Sequence, residues 1–143
     1  LSNKLMGAAA VIVNEEGKVL LVKHSYGRNN WDLPGGKSES NESAEGTAAR
    51  EVLEEIGVQV DIGALTGVYY DSEYDMHHFV FLATIRDGQQ PKPSSDEILD
   101  LGYYALNDLP RPMKDFTYNR ILDALNPHRE SIFHTTISRQ WLE

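Results

Sequence analysis

Cysteine is absent from this chain of 143 residues, which excludes disulfides, thiolate metal sites and a cysteine nucleophile. A reducing, cytoplasmic setting is the expectation that accompanies the absence. Long apolar runs are missing too. None approaches the ~20 residues of a membrane-spanning helix, and no N-terminal run has the basic, apolar and small-residue order of a secretory leader. Positive charge is scarce: 13 Lys and Arg stand against 22 Asp and Glu, a net charge of −9. Broad nucleic-acid or acidic-membrane binding needs a basic surface and is not expected. A small anionic substrate is compatible with this balance, because bound cations invert the field of a site locally. The length suits one domain, 1–143, with a single core.

Acid is what the chain has in quantity, and at one place it recurs at helical spacing. In residues 36–58, GKSESNESAEGTAAREVLEEIGV, Glu51, Glu54 and Glu55 lie three and four apart and so project within one sector of a helix. Ala48, Ala49, Val52, Leu53 and Ile56 fall in the adjacent arc, which predicts a helix seated on a core with its acids free. Ser43 can cap the first turn, Glu45 sits near the positive pole, and Gly57 can close the last turn in the left-handed conformation. Gly46 inside the first turn costs about 1 kcal/mol against alanine. Three adjacent carboxylates repel one another and call for a positive partner. With oxygen ligands only and no histidine in the stretch, the expected ion is hard, Mg2+ or Mn2+ rather than zinc.

A solvated surface helix rich in glutamate is the plainer account of three such acids, but the pattern is longer. It resembles the signature of the Nudix hydrolase family (MutT-like), G-x5-E-x7-R-E-U-x-E-E-x-G-U with U aliphatic. Gly36, Glu42, Arg50, Glu51, Val52, Glu54, Glu55, Gly57 and Val58 meet every fixed position. A chance match in a chain this size is rarer than about one in a million at average residue usage, which sets the surface-helix account aside. The resemblance implies an α/β (α+β) fold, the Nudix α/β/α sandwich with a mixed β-sheet between helices, over a core of about residues 6–125. It also implies hydrolysis of a diphosphate linked to another moiety, usually in a nucleoside diphosphate derivative, by water attack at phosphorus. Glu54, Glu55 and the carbonyl of Gly35 then bind metal, and Glu51 binds metal or helps to deprotonate the water. Glu42 and Arg50 hold the loop against the helix.

Ahead of this stretch, residues 8–13 and 18–23 are β-branched and aliphatic runs around the turn Asn14–Gly17, which predicts a β-hairpin. Pro34 stops a strand, and Gly35 and Gly36 let the backbone turn toward the helix. Behind it, residues 58–70 and 77–85 read as antiparallel strands joined by a loop at 71–76. Residues 87–95, DGQQPKPSS, are too polar and proline-rich to pack. Residues 102–105 read as a short strand and 117–125 as a second helix ending before Pro127. In the tail, 126–143, the apolar Ile132, Phe133, Ile137, Trp141 and Leu142 suit a strand, a helix or a contact with a neighbouring subunit. A homodimer joined through the tail is therefore one reading.

Glu97 precedes the last short strand, where the resemblance implies an additional catalytic or metal-binding acid; Asp96 and Asp100 compete for that role. Glu97 and Glu51 are thus rivals as general base. Arg28 and Lys37 are candidate phosphate contacts. His77 and His78, adjacent on a strand, face opposite sides, so they cannot both enter one pocket. Tyr69, Tyr70, Tyr74 and Phe79 can stack a base, and Tyr74 stands where relatives acting on dinucleoside polyphosphates carry a tyrosine. No proline occupies the position associated with ADP-ribose hydrolysis. Nucleoside triphosphates and dinucleoside polyphosphates are the substrates expected, with capped RNA ends and nucleotide sugars left open. A non-catalytic Nudix-like nucleotide-binding or regulatory module is the alternative, although such modules usually lose box acids that are intact here. Isoprenoid-diphosphate isomerases of the same fold use a catalytic cysteine, which this chain lacks.

Overall fold

Residues 3–136 and 139–143 are described by the structure, a computed structural model. Strands β1 (Leu5–Ile12) and β2 (Val19–His24) read LMGAAAVI and VLLVKH. These are nearly unbroken apolar runs because both faces of each strand are covered. Ala10, Ile12, Leu20 and Val22 point to one side and pack with Val52 and Ile56 of helix α1 (Ala44–Ile56). Ala9, Val11, Val19 and Leu21 point to the other and pack with Phe116 and Ile121 of helix α2 (Asp115–Leu125). The helices therefore sandwich the strands, and the mixed α+β architecture is the one expected.

The strands are divided between two five-stranded sheets, where a single mixed sheet was expected. The remaining strands are β3 (Trp31–Asp32), β4 (Gly35–Lys37), β5 (Val60–Asp71), β6 (Met76–Ile85), β7 (Ile98–Tyr104), β8 (Met113–Lys114), β9 (Phe133–Thr136) and β10 (Trp141–Leu142). One sheet has the order β4-β1-β6-β5-β9 and the other β10-β8-β3-β2-β7. The β1–β2 hairpin expected from the turn signal forms only at its tip. Asn14 Oδ1 accepts from the Glu16 and Lys18 N–H groups, and Val13 bridges Val19. Beyond that the strands part, because both edges of β1 are taken by β4 and β6 and both edges of β2 by β3 and β7.

β5 and β6 pair antiparallel as expected, and β7 is longer than the 102–105 strand read from the sequence. The polar segment 87–95 is a loop, yet its backbone is anchored. Lys92 and Ser94 N–H donate to the carbonyls of Ile56 and Glu55 at 3.0 and 2.9 Å, satisfying acceptors that the last turn of α1 leaves open. The tail takes the strand option within its own chain: β9 runs parallel to β5 and β10 antiparallel to β8. Ile137 lies outside the described residues.

Candidate active site

Helix α1 starts and stops where its sequence dictates. The Ser43 hydroxyl accepts from Gly46 N–H at 3.0 Å. Gly57 closes the other end at φ 72°, donating to the Leu53 carbonyl, a conformation that costs a side chain and suits glycine. Ala48, Val52 and Ile56 are fully buried, whereas Leu53, placed in the apolar arc by its spacing, is 47% exposed. Glu55 takes a buried position in its stead, only 5% exposed.

The acids Glu51, Glu54 and Glu55 of α1 do not form one uniform face. Glu51 and Glu55, one turn apart, lean together onto β4, where Gly35 N–H donates to Glu55 Oε1 at 3.3 Å. A Cβ on Gly36 would stand 2.6–2.8 Å from the Glu51 carboxyl atoms, so the pair can press on this strand only because glycine is there. Glu54 turns outward, with 53% of its side chain exposed, and pairs with Arg50 at 3.1 Å. Burial raises the Glu55 carboxyl well above the ordinary carboxylate range, and the adjacent Glu51 charge adds to it. Burial raises Glu51 as well, against the pull of Arg50. Both shifts have the sign of a carboxyl pair that holds a proton in place of a cation.

Arg50 organises the acids around it. Its guanidinium donates to Glu42 at 2.7 and 3.0 Å, to Glu51 at 2.9 Å, to Glu54, and to the Lys37 carbonyl at 2.9 Å. Loop, strand β4 and helix are thereby tied by one planar fork, which a lysine could not reproduce. The hydrogen bond from Arg50 holds Glu42 far below its usual value, at about 2, with the Glu39 N–H and Thr47 hydroxyl adding to it. Glu42 is therefore a fixed anion that positions Arg50.

Glu51, Glu54, Glu55 and Glu97 border one recess. Glu97 is exposed; its carbonyl accepts from Ser25 N–H at 2.8 Å, which pins the backbone and leaves the carboxylate unconstrained. Across Gly35 and Gly36 opens a cleft of about 290 Å³, lined in part by Tyr26, Asp32, His78, Phe116, Arg120 and Arg139. Tyr26 stands at the junction: burial pushes its hydroxyl up to about 12, and the charges of Glu55, Asp32, Glu97 and Glu51 all contribute. On the floor, Asp32 Oδ1 accepts from Arg120 at 3.0 Å and Thr117 at 2.8 Å. Burial is the largest influence on Asp32 and would raise it, but Arg120, His24, the Thr117 hydroxyl and the Leu33 N–H together outweigh it and the carboxyl stays below its usual value.

The structure thus brings Gly35, Glu42, Arg50, Glu51, Glu54, Glu55 and Glu97 to one place and sets Lys37 and Tyr74 on the rim of the adjoining cleft. Arg28 is turned elsewhere, over the Trp141 ring at 4.5 Å and 3.6 Å from Glu143. Of the adjacent histidines, His78 faces the cleft and His77 lies tilted against the Tyr70 ring with centroids 4.8 Å apart. Sequence reading missed Asp32, Phe116, Arg120 and Arg139. Phe116 and Arg120, spaced i and i+4 at the start of α2, carried a usable helical signal; Asp32 and Arg139 carried none.

As a donor set for a cation, the site is all oxygen, and two of its carboxyls, Glu51 and Glu55, converge with both raised by burial, which fits a hard divalent ion. Among the described residues no three His, Asp or Glu side chains are gathered tightly enough to hold an ion as they stand.

Known proteins align with this geometry. The NUDIX domain profile matches residues 4–125. A MutT-like protein of Streptomyces ambofaciens is 32% identical over 129 residues, covering 88% of this chain and 82% of that one. A putative 8-oxo-dGTP diphosphatase of Bacillus subtilis is 40% identical over 83 residues, 58% of this chain and 55% of its own length. In fold, a NUDIX hydrolase from Nitrosomonas europaea superposes with a TM-score of 0.78 at 23% identity, over 96% of this chain and 81% of that one. With the signature acids assembled on α1 and the profile spanning the sandwich that carries them, the chain belongs to the Nudix family of hydrolases.

Proposed function

We propose that this chain hydrolyses a diphosphate linkage in a nucleoside diphosphate derivative, a nucleoside triphosphate or dinucleoside polyphosphate, by attack of water at phosphorus. The observation that carries the reading is the Glu51–Glu55 pair, buried against Gly35 and Gly36 and opening beside a cleft. The cleft wall includes Lys37, Arg120 and Arg139 against Asp32, which holds Arg120, and Asp71, which holds Arg139, a small local positive excess in a chain of net charge −9. An anion enters there in preference to the rest of the surface. The name of the Bacillus subtilis relative favours a nucleoside triphosphate as the substrate class.

Mg2+ or Mn2+, when held by Glu51, Glu54, Glu55 and Gly35, would neutralise the diphosphate and polarise its phosphorus oxygens. Arg50, fixed by Glu42, sets the orientation of Glu51 and Glu54. Lys37 contacts a phosphate, and Tyr74 covers the substrate from the rim. Arg28 reaches the substrate only by leaving Trp141 and Glu143. Glu97 accepts the proton of the attacking water as assisting base, and Glu51, engaged at the helix, is essential to the site. The test is a mixed nucleotide panel with Mg2+ or Mn2+, read by product chromatography. Turnover that stops in excess EDTA is expected. Undiminished turnover with metal removal verified would sink the metal assignment, and no turnover of any nucleotide would sink the activity.

A further inference from the structure

The tail lies beyond the residues matched by the family profile, yet it delivers a cation to the cleft. Between β9 on the edge of one sheet and β10 on the edge of the other, Arg139 lines the cleft wall. Its guanidinium sits over the Phe116 ring at 4.4 Å, with the Tyr74 ring 5.6 Å away. One terminal nitrogen, Nη2, is committed to the buried Asp71 and to His78 Nε2 at 3.3 Å. Burial, with Arg120 and Arg139 nearby, pushes His78 down to about 3, so the ring is neutral and its Nε2 accepts. Arg139 Nε–H is in a different position, being buried with no partner among the described residues. A buried donor left unpaired is unfavourable until an acceptor is supplied.

The place of Arg139 along the cleft follows from strand register. Gly35 faces Ala9, His78 faces Gly7, and Asp71 faces Met76, which in turn faces Leu5. At ~3.3 Å per residue, the partners of Arg139 lie about 7 to 13 Å along β1 from Gly35, which receives Glu55. A substrate with its diphosphate at Gly35 would extend its nucleoside over that distance. Asp71 already neutralises Arg139, so an uncharged acceptor suits the free Nε–H better than a second anion. The Phe116 ring is already covered by the Arg139 and Arg120 guanidinium groups at 4.4 and 4.1 Å, whereas the exposed Tyr74 ring suits a flat ring.

We infer that Arg139 is a specificity-determining residue of the reaction proposed above, on which this inference rests: its Nε–H takes an acceptor atom of the nucleobase, whose ring packs against the exposed Tyr74. The test uses the full chain and imido-bridged nucleoside triphosphates that differ only in base, titrated calorimetrically with Mg2+. Arg139→Lys keeps the charge opposite Asp71 and loses the Nε donor and the planar face. It should weaken binding of the preferred base about 10-fold or more, the scale of a lost polar recognition contact, and leave the poorest base unchanged, so that selectivity collapses. Uniform weakening, unchanged selectivity, or a wild type indifferent to base would overturn the inference. Should Arg139→Lys fail to fold, Asp71→Asn with Arg139→Gln removes both charges and is read by the same criteria. Base-selective binding without hydrolysis would defeat the hydrolase reading alone; binding of no nucleotide would defeat both.

Discussion

Glu51 and Glu97 differ in what constrains them, and that difference separates their roles. Glu51 is held by Arg50 at 2.9 Å and pressed on Gly36, whereas among the described residues Glu97 is pinned through its backbone alone. A general base must bring a free carboxylate within about 3 Å of the attacking water, which the unconstrained side chain can do. Glu97→Gln should therefore lower kcat on the order of 10²-fold or more with Mn2+ affinity kept, while Glu51→Gln should disturb both; wild-type kcat in Glu97→Gln returns the role to Glu51. Glu55 makes a second prediction, about pH. Its folded value is raised above the ordinary 4.5, so its contribution to stability is fully present below about 4.5 and is lost as pH rises through the raised value. Mn2+ competes with that proton, and its affinity should climb with pH over the same window. Thermal melts with and without Mn2+ at pH 6 and 8.5 should diverge more at the higher pH. An equal gap at both, or an unaltered divergence in Glu55→Gln, would remove Glu55 from the ligand set.

Elements α1 and β4 work as a unit, because the helix carries the acids and the strand supplies the flat surface they lean on. Gly36→Ala puts a methyl 2.6–2.8 Å from the Glu51 carboxyl atoms, closer than any relaxed contact. Either Glu51 swings away or β4 shifts, and disturbing the geometry of a ligand set typically costs 10- to 100-fold in metal affinity or activity. Mn2+ titration and turnover should both fall by that order, with the core unaffected because Val52 and Ile56 pack elsewhere; unchanged affinity would show that the close approach is incidental. Much of this unit was legible in the sequence, since Ser43, Gly57 and the acids are local signals read over a few residues. The burial of Glu55 in place of Leu53 was not, because it depends on Gly35, 20 residues away. Nor was the parting of β1 from β2: a turn announces itself locally, while the competition of β4, β6, β3 and β7 for their edges is a property of the whole set of strands.

At the scale of the molecule, the tail joins what the two sheets separate. β9 extends the sheet containing β1 and β10 extends the sheet containing β2, and this division left no trace in composition or periodicity. The tail also finishes α2, whose first turn has no side-chain cap. Instead Asp115 N–H donates to the Gln140 carbonyl at 2.8 Å, and Gln140 N–H returns a bond to Asp115 Oδ1 at 3.0 Å. Trp141 adds the Arg28 and Lys114 cations on its ring at 4.5 and 5.4 Å. Since α2 carries Phe116 and Arg120 into the cleft and holds Asp32 through Thr117, the tail should support substrate binding without touching the acids, which take their orientation from Arg50 and Gly35. A chain ending at residue 132 should melt roughly 3 °C or more below the full chain, as expected for the loss of 1 kcal/mol or more in a domain of this size. Its KM should rise while Mn2+ affinity at α1 is retained. A truncated chain with unchanged KM would confine the tail to stability, and one that loses Mn2+ binding as well would show that the cleft and the acid pair are a single mechanical unit.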